Sequence, residues 1–318
     1  MRPALGSRAG SPAAVARVIV AAPRGFCAGV TRAVDIVEAA LERWGPPVYV
    51  RKEIVHNRRV VGELAAKGAI FVDEVDQAPA DRPLIFSAHG IAPTVRVDAA
   101  SRQLRTIDAT CPLVTKVHSE AKRFARQGYE LVYIGHEGHD EAIGTMGEAP
   151  EAMHLVQTVE DVAKLDIAAD KKVAYLTQTT LGVDETAGII QALKERYPAL
   201  ASPPKEDICY AATNRQLAVK RLAPNCDLLL VVGSQNSSNA HRLVEVASEA
   251  GTAAHLIDGP ADIRPEWLKG ASTVGVTGSA STAEAAVQDV VAALRPGKVE
   301  EFQAVEENVF FNLPPELR

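Results

Sequence analysis

Three cysteines are each followed at once by a helical pattern: Cys27 by Ala28-Gly29-Val30, Cys111 by Pro112-Leu113-Val114 and Cys209 by Tyr210-Ala211-Ala212. A helix N-terminus carries partial positive charge, so a thiol placed there is biased toward thiolate, the form that attacks electrophiles and ligates metals. The three recur at similar intervals, and no Cys-x-x-Cys pair accompanies them. If they converge, two metal chemistries are open. One is a zinc ion with three cysteines plus a histidine or an open position; the other is an iron-sulfur cluster in which one iron is left to bind substrate. Spacing does not choose between them. Cys226 precedes the apolar run Leu228 to Val232, at the entry end of a strand, and is expected to be an ordinary packed thiol.

A second set of residues suits an anion. His56, His89 and His139 fall in the tip-like segments Val55-His56-Asn57, Ala88-His89-Gly90 and Gly138-His139-Asp140, and Ser237, Ser238, Asn239 and Ser281 occupy similar positions. Hydroxyls, amides and imidazoles near helix N-termini can hold a small phosphate or diphosphate by hydrogen bonds. Taken singly, Ser237-Ser238-Asn239 and Ser281-Thr282 read as helix caps. Glu141, two residues beyond His139 at the start of an expected helix, is either a partner of the helix dipole or a proton-relaying carboxyl beside a dry metal site.

The elements that must position these residues alternate short β-type runs with helical patterns, the mark of α/β domains with mainly parallel sheets. Val18 to Ala22, Leu84 to Ser87, Leu131 to Ile134, Val173 to Thr177, Leu228 to Val232 and Thr273 to Thr277 each end in small or polar residues. In open α/β sheets, ligands bind beyond the carboxyl ends of strands, so a site is expected where these tips meet. Val30, Val34, Val37, Leu41 and Trp44 share one helical face that stops at Gly45-Pro46. Pro112 suits the first position of a helix ending near Gly128, and a third helix follows Tyr210 and ends before Pro224. The fold class is therefore α/β, built as three pseudo-repeated small units with one cysteine each. The expected division is a disordered extension over 1–16, then units over 17–111, 112–208 and 209–318 with a C-terminal tail.

Composition bounds the rest. With 318 residues, 47% hydrophobic and 23% charged, the chain is an ordinary globular one. Lys and Arg number 34 against 40 Asp and Glu, a net charge of -6, which supplies no basic field for nucleic acid. No apolar run approaches the roughly 20 residues that span a bilayer, so neither nucleic acid nor membrane is an expected partner. Residues 1–16 lack an uninterrupted apolar segment and read as no secretory signal. Four cysteines without an export signal point to the reducing cytoplasm.

Read in order, several segments resemble the LytB family, 4-hydroxy-3-methylbut-2-enyl diphosphate reductases. They are Gly25-Phe26-Cys27-Ala28-Gly29-Val30, Glu53-Ile54-Val55-His56-Asn57, Phe86-Ser87-Ala88-His89-Gly90 and Asp108-Ala109-Thr110-Cys111-Pro112. The likeness continues through Gly135-His136 to Gly138-His139, Glu141 with Gly144-Thr145-Met146-Gly147, Thr177-Gln178-Thr179-Thr180-Leu181, Ile208 to Gln216 and Gly233 to Asn239. It covers roughly residues 17 to 312. It implies a cloverleaf around a central 4Fe-4S cluster held by Cys27, Cys111 and Cys209, with one iron free for substrate. It further implies that His56, His89, Ser237, Asn239 and Ser281 hold a diphosphate, with Ser238 nearby, and that His139, Thr179 and Glu141 surround the substrate hydroxyl, Glu141 as the acid. The implied reaction is two-electron removal of an allylic hydroxyl, giving isopentenyl and dimethylallyl diphosphates, with a ferredoxin- or flavodoxin-type protein as electron donor. Asp140 stands where the family often has proline. Two rival readings differ in class: a zinc-stabilised phosphate-binding module without redox chemistry, and a cysteine-nucleophile transferase with one essential thiol.

Overall fold

The structure is a computed structural model that describes residues 15–318. Most of the expected extension over 1–16 lies outside the described residues. Of its last two positions, Val15 is buried and Ala16 N donates to Ser272 O at 3.0 Å, so these belong to the folded body.

In chain order the first elements are β1 (Arg17–Ala22), α1 (Ala28–Trp44), β2 (Val48–Arg51), α2 (Arg58–Ala66), β3 (Ala69–Val72), β4 (Pro83–Phe86), α3 (Pro93–Ser101) and β5 (Arg105–Asp108). There follow α4 (Pro112–Arg126), β6 (Tyr129–Ile134), α5 (Asp140–Met146), β7 (Met153–Val156), α6 (Val159–Lys164), β8 (Lys172–Thr177) and α7 (Val183–Arg196). The last are α8 (Tyr210–Leu222), β9 (Leu228–Val232), α9 (Ser238–Glu249), β10 (Ala253–Ile257), β11 (Thr273–Gly278), α10 (Glu284–Leu294) and β12 (Lys298–Gln303). The strands form three sheets, in the orders β3-β2-β4-β5, β7-β6-β8 and β10-β9-β11-β1-β12. All the ladders between them are parallel.

Each sheet is covered on both faces, as parallel sheets require, and the side-chain alternation of the strands shows how. In β9, Leu228, Leu230 and Val232 pack with Val287, Val290 and Leu294 of α10, while Leu229 and Val231 pack with α8 and α9. In β4, Ile85 faces α1 and α2 whereas Leu84 and Phe86 face α3. In the second lobe, Leu131 and Tyr133 of β6 meet α4 and α5, and Val132 and Ile134 meet α6 and α7.

The strand expected to open the first unit, β1, belongs instead to the third sheet, between β11 and β12. It is buried on nearly every residue, which suits an interior strand, and its partners come from the far end of the chain. The chain therefore crosses from the third lobe to the first just before α1, from the first to the second before α4, and into the third again before α8. Cys27, Cys111 and Cys209 are the N-caps at these three crossings.

Strand order also reverses direction beside β2, β6 and β9, each of which is flanked by the next strand on one side and the one after it on the other. Such switch points open a crevice at the carboxyl ends of the strands. The segments 52–57 and 87–90, 135–139 and 178–180, and 233–239 and 279–282 are the loops of these crevices, and they face a common centre.

Candidate active site

Those loops enclose one cavity of about 720 Å3, counted to its open mouth, and its wall contains every site residue expected from the sequence. At one side are Cys27, Cys111 and Cys209; around them stand His56, His89 and His139, then Glu141 with Thr179, then Ser237, Ser238, Asn239 and Ser281. Val30, Val55, Leu113 and Val114 supply an apolar remainder, and among the described residues no lysine or arginine lines it. Cys226 lies elsewhere, with its sulfur on Leu222 O at 3.6 Å and packed against Gly275.

Helix ends bring the thiols together. A methyl group added to Gly29 would stand 2.7 Å from Cys111 Sγ and 3.8 Å from Cys27 Sγ, so the turn beside Cys27 is bare where the two sulfurs approach. Cys209 Sγ accepts the Ala212 amide at 3.4 Å. Without a bound metal, burial works against the expected bias toward thiolate. Burial pushes Cys111 up to about 11 and Cys209 to about 12, despite amide hydrogen bonds that lower them. A helix terminus contributes about 0.3–1 kcal/mol, too little to offset desolvation of a buried anion. A bound metal reverses this balance, because its charge deprotonates a coordinating thiol outright.

The donor set fits a cluster better than a single zinc ion. Tetrahedral zinc at about 2.3 Å from each sulfur draws its thiolates to under about 4 Å of one another. Among the described residues, the three sulfurs form no group with ligand atoms all within 4.8 Å; the group that does is His56, His89 and Asp140. A cluster in which each cysteine takes a different iron spaces its sulfurs more widely.

His56 and His89 stack with ring centroids 3.9 Å apart and planes at 17°, and His139 stands edge-on to both at 5.2 and 5.9 Å. Burial, reinforced by the neighbouring rings, holds His89 well below the ordinary histidine value and His139 down at about 3. Without an anion these two are neutral imidazoles. His139 caps α5: its Nδ1 accepts the Glu141 amide at 3.1 Å, which leaves the ring proton on Nε2.

Glu141 is 2% exposed, and both carboxyl oxygens are held by Thr179, whose N–H donates at 2.6 Å and whose hydroxyl donates at 2.9 Å. Burial raises it to about 7 even though those bonds pull it down. A carboxyl in this state holds a proton at neutral pH and can release it. Asp140 is the first residue of α5, with Glu141 next in its first turn.

Ser237 does cap α9, through Ala240 N at 3.3 Å. Ser281 and Thr282 do not cap α10: Ser281 donates to His56 O at 3.0 Å, and Thr282 donates to Val232 O at 2.7 Å. Ser238 Oγ accepts from Thr180 at 3.3 Å. Asn239 is buried with both side-chain amide atoms unpartnered. A buried amide left alone costs about 1–3 kcal/mol, so it marks a place where a polar ligand belongs.

Two supports inside a recognised segment have no role legible from sequence. Tyr210 OH accepts the Ala28 amide at 3.2 Å, capping the helix that starts at Cys27. Arg215, 1% exposed, donates to Gly25 O at 2.7 Å and pairs with Glu307 at 3.0 Å, tying α8 to the Cys27 loop and the C-terminal segment. Nothing in a local pattern announces either contact, because each partner is more than 90 residues away.

Fold and cavity together define a three-lobed α/β enzyme with a thiol-lined centre and a buried acid. The chain belongs to the LytB family, whose family model, described as LytB protein, matches residues 18–295; it is a family of iron-sulfur enzymes. A 4-hydroxy-3-methylbut-2-enyl diphosphate reductase of Mycolicibacterium paratuberculosis is 56% identical over 306 residues, 95% of this chain and 92% of that protein. The corresponding reductase of Mycolicibacterium vanbaalenii is 54% identical over 321 residues, 100% of this chain and 95% of that protein. Among solved structures, the E-1-hydroxy-2-methyl-but-2-enyl-4-diphosphate reductase of Plasmodium falciparum superposes with a TM-score of 0.92 at 40% identity, over 95% of this chain and 96% of that one. A structure of (E)-4-hydroxy-3-methyl-but-2-enyl diphosphate reductase, described as the terminal enzyme of the non-mevalonate pathway, gives 0.64 at 30% identity, over 88% of this chain and 99% of that one.

Proposed function

We infer that the protein is a 4-hydroxy-3-methylbut-2-enyl diphosphate reductase, which removes the allylic hydroxyl and yields isopentenyl and dimethylallyl diphosphates. The observation that carries this reading is the meeting, in one cavity, of three thiols, a buried acid near neutrality and an unpartnered amide among histidines and serines. Relatives above 50% identity bear this name along nearly the whole chain.

Cys27, Cys111 and Cys209 hold a 4Fe-4S cluster, which when bound supplies electrons and a Lewis-acidic open iron. The substrate takes up two electrons and two protons; its carbon-oxygen bond breaks, the oxygen leaves as water, and the second proton goes to the allylic carbon. Glu141 gives the proton that turns the hydroxyl into departing water, steadied by Thr179 and aided by the Nε2–H of His139. His56, His89, Asn239, Ser237 and Ser281 hold the diphosphate, with Ser238 beside it. Burial holds His89 below the ordinary histidine value, and an arriving anion opposes that, because a nearby negative charge favours imidazolium. Binding energy at the phosphates fixes the allyl group, far from them, in its reactive pose.

We take the electron donor to be a ferredoxin- or flavodoxin-type protein and the compartment to be the reducing cytoplasm, which suits four cysteines without a disulfide. Among the described residues no helix is long and apolar enough to cross a membrane. Anaerobic turnover of 4-hydroxy-3-methylbut-2-enyl diphosphate with a low-potential reductant tests the reading. Formation of both five-carbon diphosphates is the expected result, and recovery of unchanged substrate from iron-loaded protein contradicts it.

A further inference from the structure

His56, His89 and Asp140 each present one ligand atom, and these atoms all lie within 4.8 Å of one another. Their surroundings are arranged as a metal's second layer of contacts would be. His56 Nδ1 meets Glu53 Oε2 at 3.3 Å, and that same oxygen accepts Asn236 Nδ2 at 2.7 Å. His89 Nδ1 meets Ser87 Oγ at 3.4 Å. Among the described residues Nδ1 is thus the hydrogen-bonded nitrogen of each ring and Nε2 has no partner; for His56 the partner is a carboxylate, the pattern that fixes a ligating imidazole. Asp140 and His56 also line an outer hollow together with Lys52, which is already paired with Asp73 at 3.1 Å. Among the described residues no lysine or arginine lines the central cavity to repel a metal.

We propose that His56, His89 and Asp140 form a site for a divalent cation of the zinc class, and that this cation and the substrate diphosphate exclude each other. Two imidazoles and one carboxylate are a ligand set that zinc and its neighbours accept. Exclusion follows from counting: each ring has one free nitrogen, which either donates a proton to a phosphate oxygen or gives its lone pair to a metal. Asp140 tips the choice, adding a negative charge that draws a cation and opposes phosphate. The exclusion rests on the reading of His56 and His89 as diphosphate residues; the cation site does not.

Equilibrium dialysis of the anaerobic holoenzyme against buffered free Zn2+, with iron measured on the same samples, tests the site. About one zinc per chain is expected, bound at least roughly tenfold more weakly by Asp140→Asn and by His89→Gln, with iron unchanged. Parent-like zinc affinity in Asp140→Asn, or zinc uptake matched by iron loss, overturns it. In turnover assays that also buffer free zinc, since diphosphates chelate it, zinc at ten times its Kd raises KM roughly tenfold at constant kcat, and Asp140→Asn is spared. Zinc that binds at the site while KM stays fixed overturns the exclusion, and counts against the diphosphate reading rather than the cation site.

Discussion

Glu141 is held by the amide and hydroxyl of Thr179 in a place that water does not reach, and both its chemistry and its pH dependence follow from that burial. Glu141→Gln keeps the size and the contacts but carries no acidic proton. Turnover is expected to fall by roughly 10²- to 10⁴-fold with iron content unchanged, as measured by single-turnover kinetics and iron analysis. Because the acid must be protonated, kcat/KM of the parent should decline as pH rises through about 7. The same group sets a stability trend. Its folded value is raised above the ordinary 4.5, so the folded state holds the proton more tightly, and the stability it contributes is present below about 4.5 and lost as pH rises through about 7. Denaturant titrations across that window should show the loss in the parent and not in Glu141→Gln. Asn239→Ala removes the unpartnered amide, so diphosphate binding measured by calorimetry should weaken about tenfold or more while the cluster remains.

At the scale of elements, helix ends decide where the thiols stand, and small residues decide how closely they approach. Gly29→Ala places a methyl 2.7 Å from Cys111 Sγ, against a side chain fixed at its own helix start. Anaerobic reconstitution of this variant should yield less iron per chain than the parent, with secondary structure by circular dichroism intact. Arg215→Met leaves Gly25 O without its donor, at about 1–3 kcal/mol, and takes the guanidinium from the Glu307 carboxylate, which keeps the Asn214 amide; guanidinium unfolding should report that cost. Much at this scale was legible. The strand runs, the three helices after the cysteines and the tips facing one centre all follow from local apolar periodicity and punctuation by Gly and Pro. The membership of β1 was not, because its pairing with Lys298–Gln303 joins opposite ends of the chain and leaves no local trace. The burial of the thiols was not legible for a related reason: a helix end is visible in sequence, whereas the burial that works against thiolate in the absence of a metal is a property of three lobes meeting. Tyr210 and Arg215 lay inside a recognisable segment, yet their partners at Ala28, Gly25 and Glu307 appear only once the chain is folded.

In the whole molecule, three parallel sheets bring their switch-point crevices to one centre, and the chain crosses between lobes at the three cysteines. No single lobe owns the site. Cys226, in the core between β11 and α8, serves as an internal control for any chemistry assigned to thiols. The most direct measurement is therefore iron, sulfide and zinc content with visible absorbance, on protein purified without air, for the parent and for Cys27→Ser, Cys111→Ser, Cys209→Ser and Cys226→Ser. A brown parent with iron and sulfide in equal amounts, a matching Cys226→Ser and loss of cluster in each of the other three is the result expected. A colourless parent holding zinc, or full cluster loading after removal of Cys27, Cys111 or Cys209, contradicts it.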